Sequence, residues 1–510
     1  MRLNRLLAWL AACCLAVCGG WAHAADWWRA ESEHFVLTSD ADEASIRDYL
    51  RRLEALHQLT TMMMGASQEQ GVAPRFEVYA MRGLRRLATV RPEYAEGFAG
   101  LFINCQDGSI AYAGSLGPGR ANSPELSLVI LQHEVAHQLM FRHARKGVPE
   151  WYVEGFAEFL ATTVEEGGKM EVGRPVQGAL WSLKGAWLPF EQVLKPVRKG
   201  DLASAEERAR RSSFYPQSWL LTHYMLSDSD RTQRFNDYFD RLGKGEDAVA
   251  AFEPAVGVAV ADMNLRLREH MRAFPVLRIG LPARSAPAIR VERLPGGSDE
   301  PVLEAAALRT CPSQAHGKTL LNALREQRRQ GGESLLLRLA LARAELLFGE
   351  PAAADALLKA VLAADPENFE AQHLMGRLKA KLATSLEGSA QDDARAEARS
   401  HFFKAYRLKK NDAPNLYHLS ELLWLQGPSD SLLNAARGAR VLSPGVPAYV
   451  WNEARVMLAA GDREGAVRAL TPLTSNPHAP EMAAKSRDLI ESLRAGQDTK
   501  VVLETLLKPN

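Results

Sequence analysis

Leu131-Gln132-His133-Glu134-Val135-Ala136-His137-Gln138, followed by Pro149-Glu150-Trp151-Tyr152-Val153-Glu154-Gly155-Phe156-Ala157-Glu158-Phe159, constrains the chain more than any other stretch. Residues four apart on an α-helix lie on one face, one turn from each other, so His133 and His137 can present two imidazoles to the same cation. Glu134 sits beside the first histidine, which puts its carboxylate next to the cation rather than on it, where it can take a proton from water. The helix is specified at both ends. Ser123-Pro124-Glu125 reads as N-cap, N1 proline and first-turn acid, and Arg142, Arg145 and Lys146 before Gly147 read as a basic last turn with a glycine stop. Leu126, Leu128, Val129, Ile130, Leu131, Val135 and Leu139 give it a largely buried body.

Catalytic zinc usually takes three protein ligands and keeps a fourth position open, so two histidines leave a site short. Two residues compete for the third place. His143 stands where a metzincin, patterned HExxHxxGxxH, carries its third histidine, but Met140 replaces the glycine that breaks the helix there. On a continuing helix, six residues past His137 amount to roughly 600° of rotation, about 120° off the metal face. Glu154 is the better placed: Gly147-Val148-Pro149 ends one helix and opens another with Pro149 at N1, returning Glu154 to face the first helix. Glu158, one turn on, could accept the free N–H of a ligand histidine and fix its tautomer.

HEVAH followed by EWYVEGFAEF resembles the gluzincin metallopeptidases, and is most similar to the bacterial peptidase MA-like proteins. The resemblance covers roughly Asp26 to Phe274 in element order, and only the two motif helices in identity. It implies His133, His137 and Glu154 as Zn2+ ligands, Glu134 as general base and acid, and an α+β fold: a small mixed sheet, the active-site helices and a helical lower half. Val153 departs from the asparagine that aminopeptidases carry before the ligand glutamate, which puts aminopeptidase specificity in doubt.

Residues 1–24 read as a signal peptide: Arg2 and Arg5 charged, Leu6 to Val17 apolar, and Ala22-His23-Ala24 an A-x-A cleavage site. This predicts a periplasmic or secreted protein. Leu15-Ala16-Val17-Cys18 offers a second reading, a lipoprotein anchor at Cys18, against which stands Val17 where such signals carry a smaller residue. Of five cysteines, Cys105 and Cys311 fall outside the leader, and in an oxidising compartment they could pair. A formal net charge of +1 over 510 residues gives no electrostatic reason to expect nucleic acid or an anionic membrane as partner, and no later apolar run is long enough to span a bilayer. A peptide or protein substrate is the expected partner.

Along residues 25–275, assigned to the metallopeptidase domain, Trp27 to Thr38 reads as one strand. A helix capped at Ser39-Asp40 runs to Gly65, Phe76 to Ala80 forms a second strand, and Gly100 to Cys105 with Ser109 to Ala113 form a hairpin around Gln106-Asp107-Gly108. The resemblance to the gluzincins implies that Ser109 to Ala113, just upstream of the metal helix, lies at the sheet edge bordering the cleft, where an extended peptide can pair. Mostly helices follow Glu158. By the same resemblance, an oxyanion donor comes from this downstream half: Tyr215 in Tyr-x-Gln-Ser-Trp, with His223 in reserve.

Gly280 to Ser298 reads as a linker within a connecting segment, 276–330, that also holds the first helices. Over 331–500, Gly349, Gly427 and Gly461 separate paired apolar helical stretches at a period of about 34 residues, with an insert at Leu382 to Ala394. This resembles tetratricopeptide repeats and implies an α-helical solenoid that can hold a protein partner. Two functions follow. One is an exported zinc peptidase; the other is a catalytically inactive peptidase-like scaffold whose repeats bind envelope proteins or peptides.

Overall fold

In the computed structural model, residues 26–65, 74–83, 86–94, 100–115, 123–143, 148–176, 178–195, 205–272, 274–283, 286–295, 301–475 and 480–507 are described; the side chains of 94, 115, 123–127, 205–209, 211 and 480 are not. The leader, its cysteines, the N-cap side chain of Ser123 and the basic stop at 145–147 therefore lie outside the described residues. The chain folds as mixed α+β followed by a helical-repeat region.

A six-stranded sheet has the order β4-β5-β3-β2-β1-β9, built from β1 (Trp28–Glu31), β2 (Phe35–Ser39), β3 (Phe76–Arg82), β4 (Gly100–Cys105), β5 (Gly108–Ser115) and β9 (Arg290–Arg293). β2, β3 and β5 run parallel, in register Phe35↔Phe76 and Glu77↔Ile110, while β4 and β1 pair antiparallel with β5 and β2. Strand side chains alternate between faces, and this alternation makes two cores. Phe35, Phe76, Val78, Ala111 and Ala113 point to one, shared with α1 (Glu43–Met63) and α2 (Ser123–His143). Met81, Ile103, Ile110 and Tyr112 point to the other, shared with α7 (Val302–Ala307), α8 (Gln314–Arg329) and α9 (Leu335–Phe348).

Four expectations are corrected here. Trp27 to Thr38 is a β1–β2 hairpin rather than one strand, closed where the Ser32 N–H donates to the Phe35 carbonyl. The cap of α1 is Asp42, whose carboxylate accepts from the Ser45 N–H. The sheet edge is β4, because β5 is covered on both sides by β3 and β4. The segment from 276 is more than a linker. Its Arg290–Arg293 forms the outer strand β9 beside β1, and β8 (Leu277–Ile279) completes a three-stranded sheet with β6 (Val164–Glu166) and β7 (Lys169–Val172). Backbone pairing drew both pieces in, and neither carries a strong apolar pattern.

Downstream of α3 (Glu150–Ala161) come α4 (Ala205–Leu226), α5 (Ser229–Gly243) and α6 (Met263–Arg272). The repeat region is a series of helix pairs. Their first helices, α9, α11 (Phe369–Ala383), α13 (Ala413–Trp424) and α15 (Pro447–Ala459), begin 34, 44 and 34 residues apart. Each is followed by its partner, α10 (Pro351–Ala364), α12 (Gly388–Leu408), α14 (Asp430–Leu442) or α16 (Arg463–Leu470), and α17 (Pro480–Arg494) and α18 (Thr499–Leu507) close the array. The middle step is ten residues longer and α12 runs to 21 residues, so the expected insert, Leu382 to Ala394, is mostly helix. Gly427 and Gly461 turn their pairs with φ of 90° and 75°, a conformation that glycine adopts without a steric penalty. Among the described residues no helix is long and apolar enough to cross a membrane.

Candidate metal centre

α2 carries its apolar side into the sheet core through Leu131, Val135 and Leu139, which leaves His133 and His137 on the side that meets α3. Pro149 is the residue before α3 rather than its first turn, holding an extended backbone from which Glu150 starts the helix. Gln132, 2% exposed, donates from Nε2 to the Thr163 carbonyl just past α3 at 3.0 Å, tying the two helices together.

His133, His137 and Glu154 come together. The two Nε2 atoms are 3.0 Å apart, and Glu154 Oε2 lies 3.6 Å from the first and 3.5 Å from the second. A tetrahedral ion bonded at about 2.0–2.2 Å needs donors roughly 3.3–3.6 Å apart; the two edges to Glu154 match that spacing, and the 3.0 Å edge between the ring nitrogens is shorter than it. Burial holds His137 down to about 3, which keeps its ring neutral and its lone pair available at ordinary pH. Two imidazole nitrogens and a carboxylate oxygen are a donor set that suits a divalent transition metal.

Two further carboxyls border the triad. Glu158 Oε1 stands 3.7 Å from His133 Nδ1, behind the ring and just outside hydrogen-bonding range. Glu134 has a buried Oε2 with no hydrogen-bond partner among the described residues. Burial first, then the charges of Glu154 and Glu158, push Glu134 up to about 8; burial and Glu154 push Glu158 up to about 7. A cation in the triad would reverse the sign of that local field.

His143 ends α2 with its ring toward His57 of α1, at a centroid separation of 6.5 Å, and is not in the donor group. Tyr215 lies partly buried on α4, edge-on to Phe214 at 5.9 Å and against the main core. His223 is a core residue: its Nδ1 is 2.8 Å from His270 Nε2, and its ring is packed by Phe159 and Phe274.

The role of Gly155 was not visible in the sequence. An added Cβ would stand 2.3 Å from the Ser218 carbonyl oxygen and 2.4 Å from Thr222 Oγ1, so α3 and α4 cross with nothing between their backbones. Gly155→Ala should therefore destabilise the fold by about 1–3 kcal/mol and shift Glu154 with its helix. Urea unfolding with a parallel zinc titration checks both effects.

No family model and no curated protein matches the chain. Among solved structures it is similar to a thermophilic TPR protein of Thermus thermophilus, with 17% identity and a TM-score of 0.31 over 34% of this chain and 90% of that one.

Proposed function

We propose that the chain is an exported, gluzincin-type zinc metallopeptidase that hydrolyses peptide bonds. The observation carrying this reading is the convergence of His133 Nε2, His137 Nε2 and Glu154 Oε2 from two helices, with Glu134, whose Oε2 has no hydrogen-bond partner among the described residues, close enough to feel the charge of Glu154. Zinc, when bound there, would polarise a scissile carbonyl and lower the pKa of water. The protein's own residues have three tasks. His133, His137 and Glu154 would hold the ion, with Glu158 orienting His133 from behind. Glu134 would take the proton of the attacking water on its buried carboxylate and return it to the leaving amine nitrogen. Tyr215, the choice carried over from the family, would donate to the developing oxyanion. The Cys105–Cys311 disulfide supports export to an oxidising compartment.

The scaffold reading must find its ligand a place on the repeats, whose first helices already hold a turn of the first domain: Arg377 Nη1 lies 2.6 Å from Asp107 Oδ1. The two readings separate in a peptide-library digest followed by mass spectrometry. Cleavage that a chelator abolishes and zinc restores is the expected result. Zinc at one per chain without any cleavage would favour the scaffold.

A further inference from the structure

The turn between β4 and β5 is an unusual hairpin tip, because its aspartate is 3% exposed. Arg377 Nη1 donates to Asp107 Oδ1 at 2.6 Å, and Arg343 Nη1 and His418 Nε2 stand 3.4 and 3.6 Å from the same oxygen. Beside it, the Tyr449 hydroxyl donates to the Gln106 carbonyl at 3.0 Å, and Cys105 is bonded to Cys311. Burial, the largest influence on Asp107, would raise its pKa, yet Arg377 and Arg343 hold it well below the usual carboxylate range.

The grip is a product of the repeat itself. Arg343 and Arg377 are each the ninth residue of a first helix, α9 and α11, so the 34-residue step sets two guanidiniums beside the same Asp107 oxygen. They are 5% and 9% exposed. A guanidinium buried to that extent is costly unless a carboxylate meets it. Glu370 accepts from Arg343 at 2.6 Å, and Asp107 supplies the second carboxylate from the other domain.

What the grip holds is the sheet edge. β4 leads from the turn back along α2, where an added Cβ on Gly100 would meet Ile130 Cγ2 at 2.4 Å. At the other end of α2, Gly445, in the loop between α14 and α15, faces Phe141 and Asn104. The repeats thus touch the edge strand and the histidine-bearing helix together.

We infer that the first helices of the repeats form a carboxylate-gripping site whose occupant is the chain's own β4–β5 turn, with Asp107, Arg343 and Arg377 acting as positioning residues that hold edge strand β4 against α2. The effect on a cleft rests on the peptidase reading; the grip does not. In this account the repeats serve the first domain in cis, and their arginines are occupied before any separate acidic partner arrives.

Hydrogen exchange of the full chain tests the grip without reference to activity. Asp107→Ala should speed exchange of the amides of 100–113 by about tenfold or more, leaving β2 and α1 protected. Because that variant strands the buried guanidinium of Arg377 while Arg343 keeps Glu370, Asp107→Asn/Arg377→Met removes charge and grip together and should show the same local loss in a folded protein. Unchanged exchange at 100–113 in both variants overturns the inference. Peptide hydrolysis then tests the positioning role: KM should rise several-fold while kcat stays within about twofold, and lost protection with an unchanged KM would overturn it. A wild-type chain with no turnover would count against the peptidase reading, and the exchange result would still decide the grip.

Discussion

Glu134→Gln will leave zinc bound at one per chain and lower peptide hydrolysis by roughly 10²–10⁴-fold, the contribution of a positioned general base. The substitution keeps the shape and length of the side chain and removes only its capacity to take a proton. Glu134 is not among the three converging donors, so ion binding should survive. Its buried Oε2, without a hydrogen-bond partner among the described residues, has no structural bond to lose. Parallel zinc assays and steady-state kinetics give the answer, and hydrolysis at the wild-type rate in the glutamine variant would remove Glu134 from the mechanism.

Glu154→Ala should have the opposite profile, losing the ion first and the activity as a consequence. Glu154 contributes the oxygen that stands 3.5–3.6 Å from both ring nitrogens, and it is 1% exposed, so water cannot simply take its place. Outer-shell partners of a metal site already account for about 10–100-fold in affinity, and loss of a direct ligand should exceed the upper end of that range. Competition with a chromogenic chelator measures it. An unchanged zinc affinity in Glu154→Ala would mean that the third ligand lies elsewhere.

The convergence of His133, His137 and Glu154 was legible in the sequence because its geometry is local. An i, i+4 pair needs only one helix, and Glu154 needs only the short Gly147-Val148-Pro149 break to bring it back. The repeat period was legible for the same reason, since Gly349, Gly427 and Gly461 each turn a helix pair. Strand order was not. That β4 rather than β5 is the edge, and that Arg290–Arg293 joins β1, depends on pairings across the chain that short strands do not advertise. Asp107 was read as a turn residue and nothing more, since its arginine partner lies 270 residues away. One signal was available: Arg343 and Arg377 recur at equivalent repeat positions, and a recurring buried cation implies an anion to meet it.

X-ray absorption at the zinc edge of the purified chain tests the central claim most directly. The account predicts one zinc per chain with two imidazole nitrogens and carboxylate oxygen at about 2.0–2.2 Å, and loss of the oxygen contribution from residue 154 in the alanine variant. A chain that takes up no zinc, or one whose spectrum is unchanged when Glu154 is removed, would contradict it.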